Sequence, residues 1–132
     1  MNILYISKLD GRPWAGPTYS IPKQIEAQSK YDKVFWYNIV DGPRPEGINN
    51  YTAWKKLSYF HDLIDFPNKK IADLPKPFST PDLIVVEQGY TYAKEKIRKE
   101  IIDGTIPYIV VPRGELTDGA QNKKRLKKII GN

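Results

Sequence analysis

The residues best suited to hold a ligand follow short apolar runs. Glu87-Gln88-Gly89-Tyr90 follows Leu83-Ile84-Val85-Val86. A carboxylate beside an amide suits sugar hydroxyls, and the same pair can instead cap a following helix. Pro112-Arg113-Gly114-Glu115-Leu116-Thr117-Asp118 follows Tyr108-Ile109-Val110-Val111. Arg113 offers a planar, permanently charged donor fork for phosphate or carboxylate, or for an internal ion pair with Glu115 or Asp118. A longer loop, from Lys8 to Pro17, follows Ile3-Leu4-Tyr5-Ile6. Its Gly16 allows close approach to the backbone, and the helix start beyond it suits an anion. A surface turn would read the same way. Trp14, in this loop, can pack on a sugar or anchor the loop.

Other chemistries find little support. The loop is neither GxGxxG nor a Walker loop, which disfavours the usual dinucleotide and ATP readings. There is no GxSxG and no cysteine, so a hydrolase elbow, thiolate metal site and disulfide are all excluded. His61 is the single histidine, has no partner at metal-ligand spacing, and reads as structural or exposed. Trp36 reads as core, and Trp14, Trp36 and Trp54 are too scattered to form a stacking platform.

The elements that would carry these residues come from pattern. The three apolar runs above, with Val34-Phe35-Trp36-Tyr37, are continuous rather than alternating and rich in β-branched and aromatic residues. Such runs predict strands buried on both faces of a parallel sheet. Helix-like stretches separate them. In residues 18–31, Ile21 and Ile25 share a face, and Thr18 or Ser20 as cap would put Pro22 near the first turn. Residues 90–102 carry Ala93, Ile97 and Ile101 on one face, with Gly104 as a stop. Residues 116–130 carry Leu116, Ala120, Leu126, Ile129 and Ile130. The stretch from Asp41 to Pro81 is rich in proline and reads as an irregular excursion with one or two short helices around Thr52–Asp65. Alternating strands and helices predict an α/β fold, a parallel sheet flanked by helices. The Ile3–Ile6 strand is expected centrally, beside the Leu83–Val86 strand, with the first loop at the switch point.

The 132 residues suffice for one domain, with 40% hydrophobic and 12% aromatic residues to build a core. Mean hydropathy is −0.54 and no run approaches a membrane span, so the reading is soluble and cytoplasmic. Met1-Asn2-Ile3-Leu4 runs straight into a strand-like segment, which reads as lacking a signal peptide. Net charge is +6, much of it in Lys123, Lys124, Arg125, Lys127 and Lys128. That cluster fits nucleic acid, an anionic membrane surface or a solvated helix face.

Several segments together resemble the N-terminal domain of retaining GT-B glycosyltransferases, in particular the group that builds bacterial capsular and cell-surface polysaccharides. They are Asn2-Ile3-Leu4-Tyr5-Ile6-Ser7, Ala15-Gly16-Pro17, Ser20-Ile21-Pro22, Pro81-Asp82-Leu83-Ile84-Val85-Val86, and Ile106 to Gly114 followed by Leu116-Thr117 and Ala120-Gln121. The resemblance spans nearly the whole chain except its proline-rich middle. It implies a Rossmann-like half-fold, the acceptor-side domain of an enzyme that moves a sugar from a nucleotide sugar to a glycan or lipid-linked acceptor. Gly16 matches the glycine loop that meets the donor diphosphate. Glu87, Gln88 and Glu115 match positions lining the acceptor pocket. Arg113 stands where many members have histidine; arginine cannot act as a base, so a charge-stabilising or acceptor-binding role is what carries over. The donor is a substrate, and no cofactor or metal is implied.

The family's donor-binding C-terminal domain, with its paired glutamates, has no counterpart here, so residues 1–132 are expected to be a truncated N-terminal domain that is inactive alone. Partners are then the missing domain, both substrates and, through the basic cluster, the inner face of a membrane, with no nucleic acid. The rival is a stand-alone α/β module gripping nucleic acid or an acidic partner with its basic end. The absence of aromatics from that end weighs against nucleic acid.

Overall fold

The computed structural model describes residues 1–11, 17–40, 49–87 and 96–111. Five strands form one all-parallel sheet: β1 (Asn2–Ser7), β2 (Lys33–Asn38), β3 (Phe60–Asp62), β4 (Leu83–Glu87) and β5 (Tyr108–Val111), in the order β3-β2-β1-β4-β5. Helices α1 (Pro17–Ser29), α2 (Asn49–Lys55) and α3 (Lys96–Asp103) flank it. The fold is Rossmann-like α/β. Strand β1 is central and pairs with both β2 and β4, Ile3 facing Val34 on one side and Leu83 on the other. The strand order therefore reverses at β1, and β1 and β4 flank the switch point.

Side-chain alternation divides the strands between two cores. Leu4, Ile6, Phe35, Tyr37, Ile84 and Val86 point to the face covered by Ile97 and Ile101 of α3. Ile3, Tyr5, Val34, Trp36, Phe60 and Val85 point to the face covered by Ile21 and Ile25 of α1 and Tyr51 and Trp54 of α2. Burial on both sides is why β1, β2 and β4 read as unbroken apolar runs. Strand β5 departs from that expectation. It is an edge strand among the described residues, and Ile109 is 41% exposed.

Two further expectations are refined. Around 52–65 one short helix is present, as expected, but a strand follows it. Only α2, ending at Lys55, is helical, and the chain then forms strand β3 paired in parallel with β2. Tyr51 and Trp54, three apart on α2, turn toward the sheet while Phe60 and Asp62 alternate inward. Phe60-His61-Asp62 is too short and too polar to announce a strand; tertiary pairing makes it one. Nor does Thr18 or Ser20 cap α1 from outside, because the helix begins at Pro17. Pro22 thus sits in the second turn, where it gives no N–H to the Thr18 carbonyl four residues back. Proline at the first position costs nothing comparable, since that N–H lacks a helical partner anyway.

The later excursion is tied down by α3. The Glu100 carboxylate accepts hydrogen bonds from the Ile71 and Ala72 backbone N–H groups at 2.8 and 3.1 Å, capping the 3₁₀ turn Ile71–Asp73. Helix α3 ends before Gly104, as expected, where an added Cβ would lie 3.1 Å from the Glu100 carbonyl oxygen. The expected helix 116–130 and the first part of 90–102 lie outside the described residues.

His61 is structural. Its ring stacks on Phe35 with centroids 3.9 Å apart and planes 12° from parallel. Burial lowers its pKa, and the nearby Asp65 carboxylate opposes that. At the amino edge, the Met1 ammonium donates to Asp32 at 2.6 Å and holds that carboxyl below its usual range.

Two outcomes follow. Ile84→Ala, opening a cavity under the central strands, costs about 2–5 kcal/mol in urea unfolding, whereas Tyr31→Ala at the surface stays within about 0.5 kcal/mol. The His61 pKa is lower folded than unfolded, so its contribution is full above the unfolded value of 6.5 and is lost as pH falls below it. The Asp32 contribution disappears only lower, below 3.8. Thermal melts between pH 7 and 5 therefore decline for the native chain and flatten for His61→Phe.

Candidate functional site at the carboxyl edge of the sheet

Strands β1 to β4 each end on a buried polar residue: Ser7, Asn38, Asp62 and Glu87. Each lies an even number of residues from an apolar neighbour of the α1/α2 core, so all four belong to that face. Register brings them level. Ser7 pairs with Asn38, Asn38 with Asp62, and Ile6 with Val86, so Ser7 and Glu87 end adjacent strands at one height. The result is a polar row along the carboxyl edge, above an apolar core.

Most of the row is engaged in holding the loops. Trp36 Nε1 donates to Ser7 Oγ at 2.7 Å, and Ser7 Oγ donates to Asn38 Oδ1 at 2.7 Å. Asn38 then pairs reciprocally with the Leu9 backbone: Leu9 N–H donates to Oδ1, and Nδ2 donates to the Leu9 carbonyl, both at 2.8 Å. An amide side chain thereby extends the ladder past the end of β1 and pins the start of the first loop. Asn50 Nδ2 adds a contact to the Gly11 carbonyl at 3.2 Å, and Gly11 adopts φ 85°, which its lack of a Cβ permits. At β3, Tyr51 donates its hydroxyl proton to Asp62 Oδ2.

Two other buried polar groups stand at this edge. Glu87, 1% exposed, ends β4 beside the switch point. Thr18, 2% exposed, lies in the first turn of α1 on one stripe with Ile21 and Ile25, which face the sheet. Helix α1 returns from the carboxyl edge toward the start of β2, so its N-terminus and Thr18 lie at the same end as Glu87.

Of the residues predicted to carry function, the structure describes Glu87 and brings it to the switch point. Gly16, Gln88, Arg113 and Glu115 lie outside the described residues, as do Trp14 and the basic cluster. Trp36 and Trp54, distant in sequence, pack 5.1 Å apart, but both are buried and offer no platform to a ligand. Sequence reasoning overlooked Ser7, Asn38, Asp62 and Thr18. A signal for the strand ends was present: the first polar residue after each apolar run. Two surface hollows lined by described residues lie elsewhere. One of about 490 Å³ lies at the amino edge beside Met1 and Asp32, and one of about 270 Å³ beyond β3 beside Lys55 and Asp65. Ligands of open parallel sheets bind at the carboxyl edge near the strand-order reversal, so neither takes precedence over the switch point. Among the described residues no group of three or more His, Cys, Asp or Glu could hold a metal ion, and no helix is long and apolar enough to cross a membrane.

No protein-family model, curated protein or solved structure matches this chain.

The Asn38–Leu9 pair makes a local prediction. Asn38→Ala strands two backbone groups and the Ser7 hydroxyl, and costs at least about 2 kcal/mol in urea unfolding. Hydrogen exchange read by NMR shows the Leu9 amide losing protection more than the amides of β4.

Proposed function

We propose that this chain is the acceptor-side domain of a retaining GT-B glycosyltransferase acting in surface-polysaccharide synthesis. The observation that carries the reading is Glu87: a buried carboxylate ending the strand next to β1, at the switch point of a parallel sheet. That is where α/β sheets bind ligands, and where the resemblance expects acceptor contacts.

In the proposed reaction an acceptor hydroxyl forms a glycosidic bond to the sugar carbon, the bond to the nucleoside diphosphate breaks, and the hydroxyl proton leaves with the nucleoside diphosphate or to water. Glu87 accepts a hydrogen bond from the acceptor and orients it. By the resemblance, Gly16 backbone N–H groups meet the donor diphosphate, and Arg113 offsets its charge as it leaves. Gln88 and Glu115 complete the acceptor side. A second α/β domain holds the nucleotide. The work of the enzyme is largely positional, bringing two bound substrates into one cleft. Lysines near residues 123–128 draw this domain to the anionic inner face of a membrane, at roughly 1 kcal/mol each.

The test is transfer by the complete gene product from radiolabelled nucleotide sugars to lipid-linked acceptors. At least one donor gives product, and Glu87→Gln lowers kcat/KM about tenfold or more, the scale of one charge-assisted hydrogen bond. The 132-residue chain alone binds the same donors no tighter than millimolar by calorimetry, because the reading assigns base and ribose to the second domain. Absence of transfer from every donor refutes the reading, and micromolar binding by the isolated chain refutes the two-domain arrangement.

A further inference from the structure

Helix α1 is held unevenly along its length. In an α-helix each N–H bonds the carbonyl four residues back, so residues 21–24 tie down residues 17–20. Pro22 has no N–H, and its ring crowds the Thr18 carbonyl it should have bonded. The N–H groups of Ile21, Lys23 and Gln24 remain to join Pro17, Tyr19 and Ser20 to the rest of the helix. Packing adds a second weakness at the same residue. Thr18 is buried at 2% exposure, and among the described residues its Oγ1 has no hydrogen-bond partner. A buried hydroxyl left unpaired costs its full desolvation, and lifting it into water removes that cost. Tyr19 and Ser20 are exposed and belong to neither core. From Ile21 onward the balance reverses, because Ile21 and Ile25 are fully buried against the sheet.

We propose that Pro22 makes a hinge in α1, about which Pro17–Ser20 lifts from the sheet as one unit while the helix from Ile21 onward stays docked. The closed form is the continuous helix. In the open form the Thr18 hydroxyl and carbonyl are both hydrated. The hinge stands at the carboxyl edge, where open parallel sheets bind ligands. Closed, the first turn presents its free N–H groups at that edge as one array; open, it disperses them. The equilibrium therefore gates any ligand that uses those groups, whatever its chemistry, and it exists in the chain without ligand.

Native-state hydrogen exchange of the ¹⁵N-labelled chain reads the opening, because each amide reports the breaking of its own bond. After correction for intrinsic rates, Ile21, Lys23 and Gln24 exchange at one common rate, at least about tenfold faster than Ile25, whose acceptor is the docked Ile21 carbonyl. Thr18→Val keeps the shape, removes the hydroxyl and slows these amides about tenfold, whereas Thr18→Ser does not slow them. Pro22→Ala restores an N–H to the Thr18 carbonyl and slows them as well. Ile84→Val, in the opposite core, weakens the whole fold but leaves them within about twofold, because the opening is local. The proposal is overturned if these amides exchange no faster than Ile25, or if their rates form a graded series, as at a fraying helix end. It is likewise overturned if Thr18→Val or Pro22→Ala leaves them unchanged, or if Ile84→Val quickens them beyond that limit.

Discussion

Parallel pairing of β1 on both of its sides constrains the rest of this molecule. A parallel neighbour cannot be reached by a tight turn, so each pairing requires a crossover that lies on one face of the sheet. The crossover to β2 lays α1 on one face, and the crossover from β4 to β5 lays α3 on the other. With helices on both faces, β1 has no solvent side, and five of its six residues are buried. The strand order therefore reverses at β1, and the carboxyl edge beside such a reversal is where open parallel sheets bind ligands.

The carboxyl edge shows how an apolar core and a polar rim are joined without leaving buried groups stranded. Trp36 is buried for its ring yet must place an indole N–H, and Ser7 receives it. Ser7 passes its own proton to Asn38, whose amide matches the donor and acceptor of the Leu9 backbone. Each member satisfies the next, so the network fixes where β1 stops and where the first loop departs. Against that background Thr18 stands apart: it occupies the same edge, is equally buried, and has no such hydrogen bond.

How far this architecture was legible depended on segment length. Ile3–Ile6, Val34–Tyr37 and Leu83–Val86 announce themselves because double-sided burial demands consecutive apolar residues. Phe60-His61-Asp62 could not be read as a strand. Three residues carry too little periodicity, and the pairing that defines the strand is with β2, more than twenty residues earlier. Tyr108–Val111 was legible as a strand but not as an edge, because edge position is set by what lies beside it. Glu87 was legible as a candidate because it follows an apolar run. Asn38 and Ser7 follow such runs too, yet only the register shows that their side chains meet.

From the sequence alone came the α/β class, the parallel sheet, the central place of the first strand and the switch point beside Leu83–Val86. These rest on local pattern and on handedness rules that any such chain obeys. Tertiary structure alone decided that Ser7, Asn38, Asp62 and Glu87 form one row, that Thr18 faces the sheet inside α1 rather than capping it, and that His61 stacks on Phe35. The physical reason is that pattern specifies which face a residue prefers, whereas polar groups far apart in sequence are matched only when the strands dock in register.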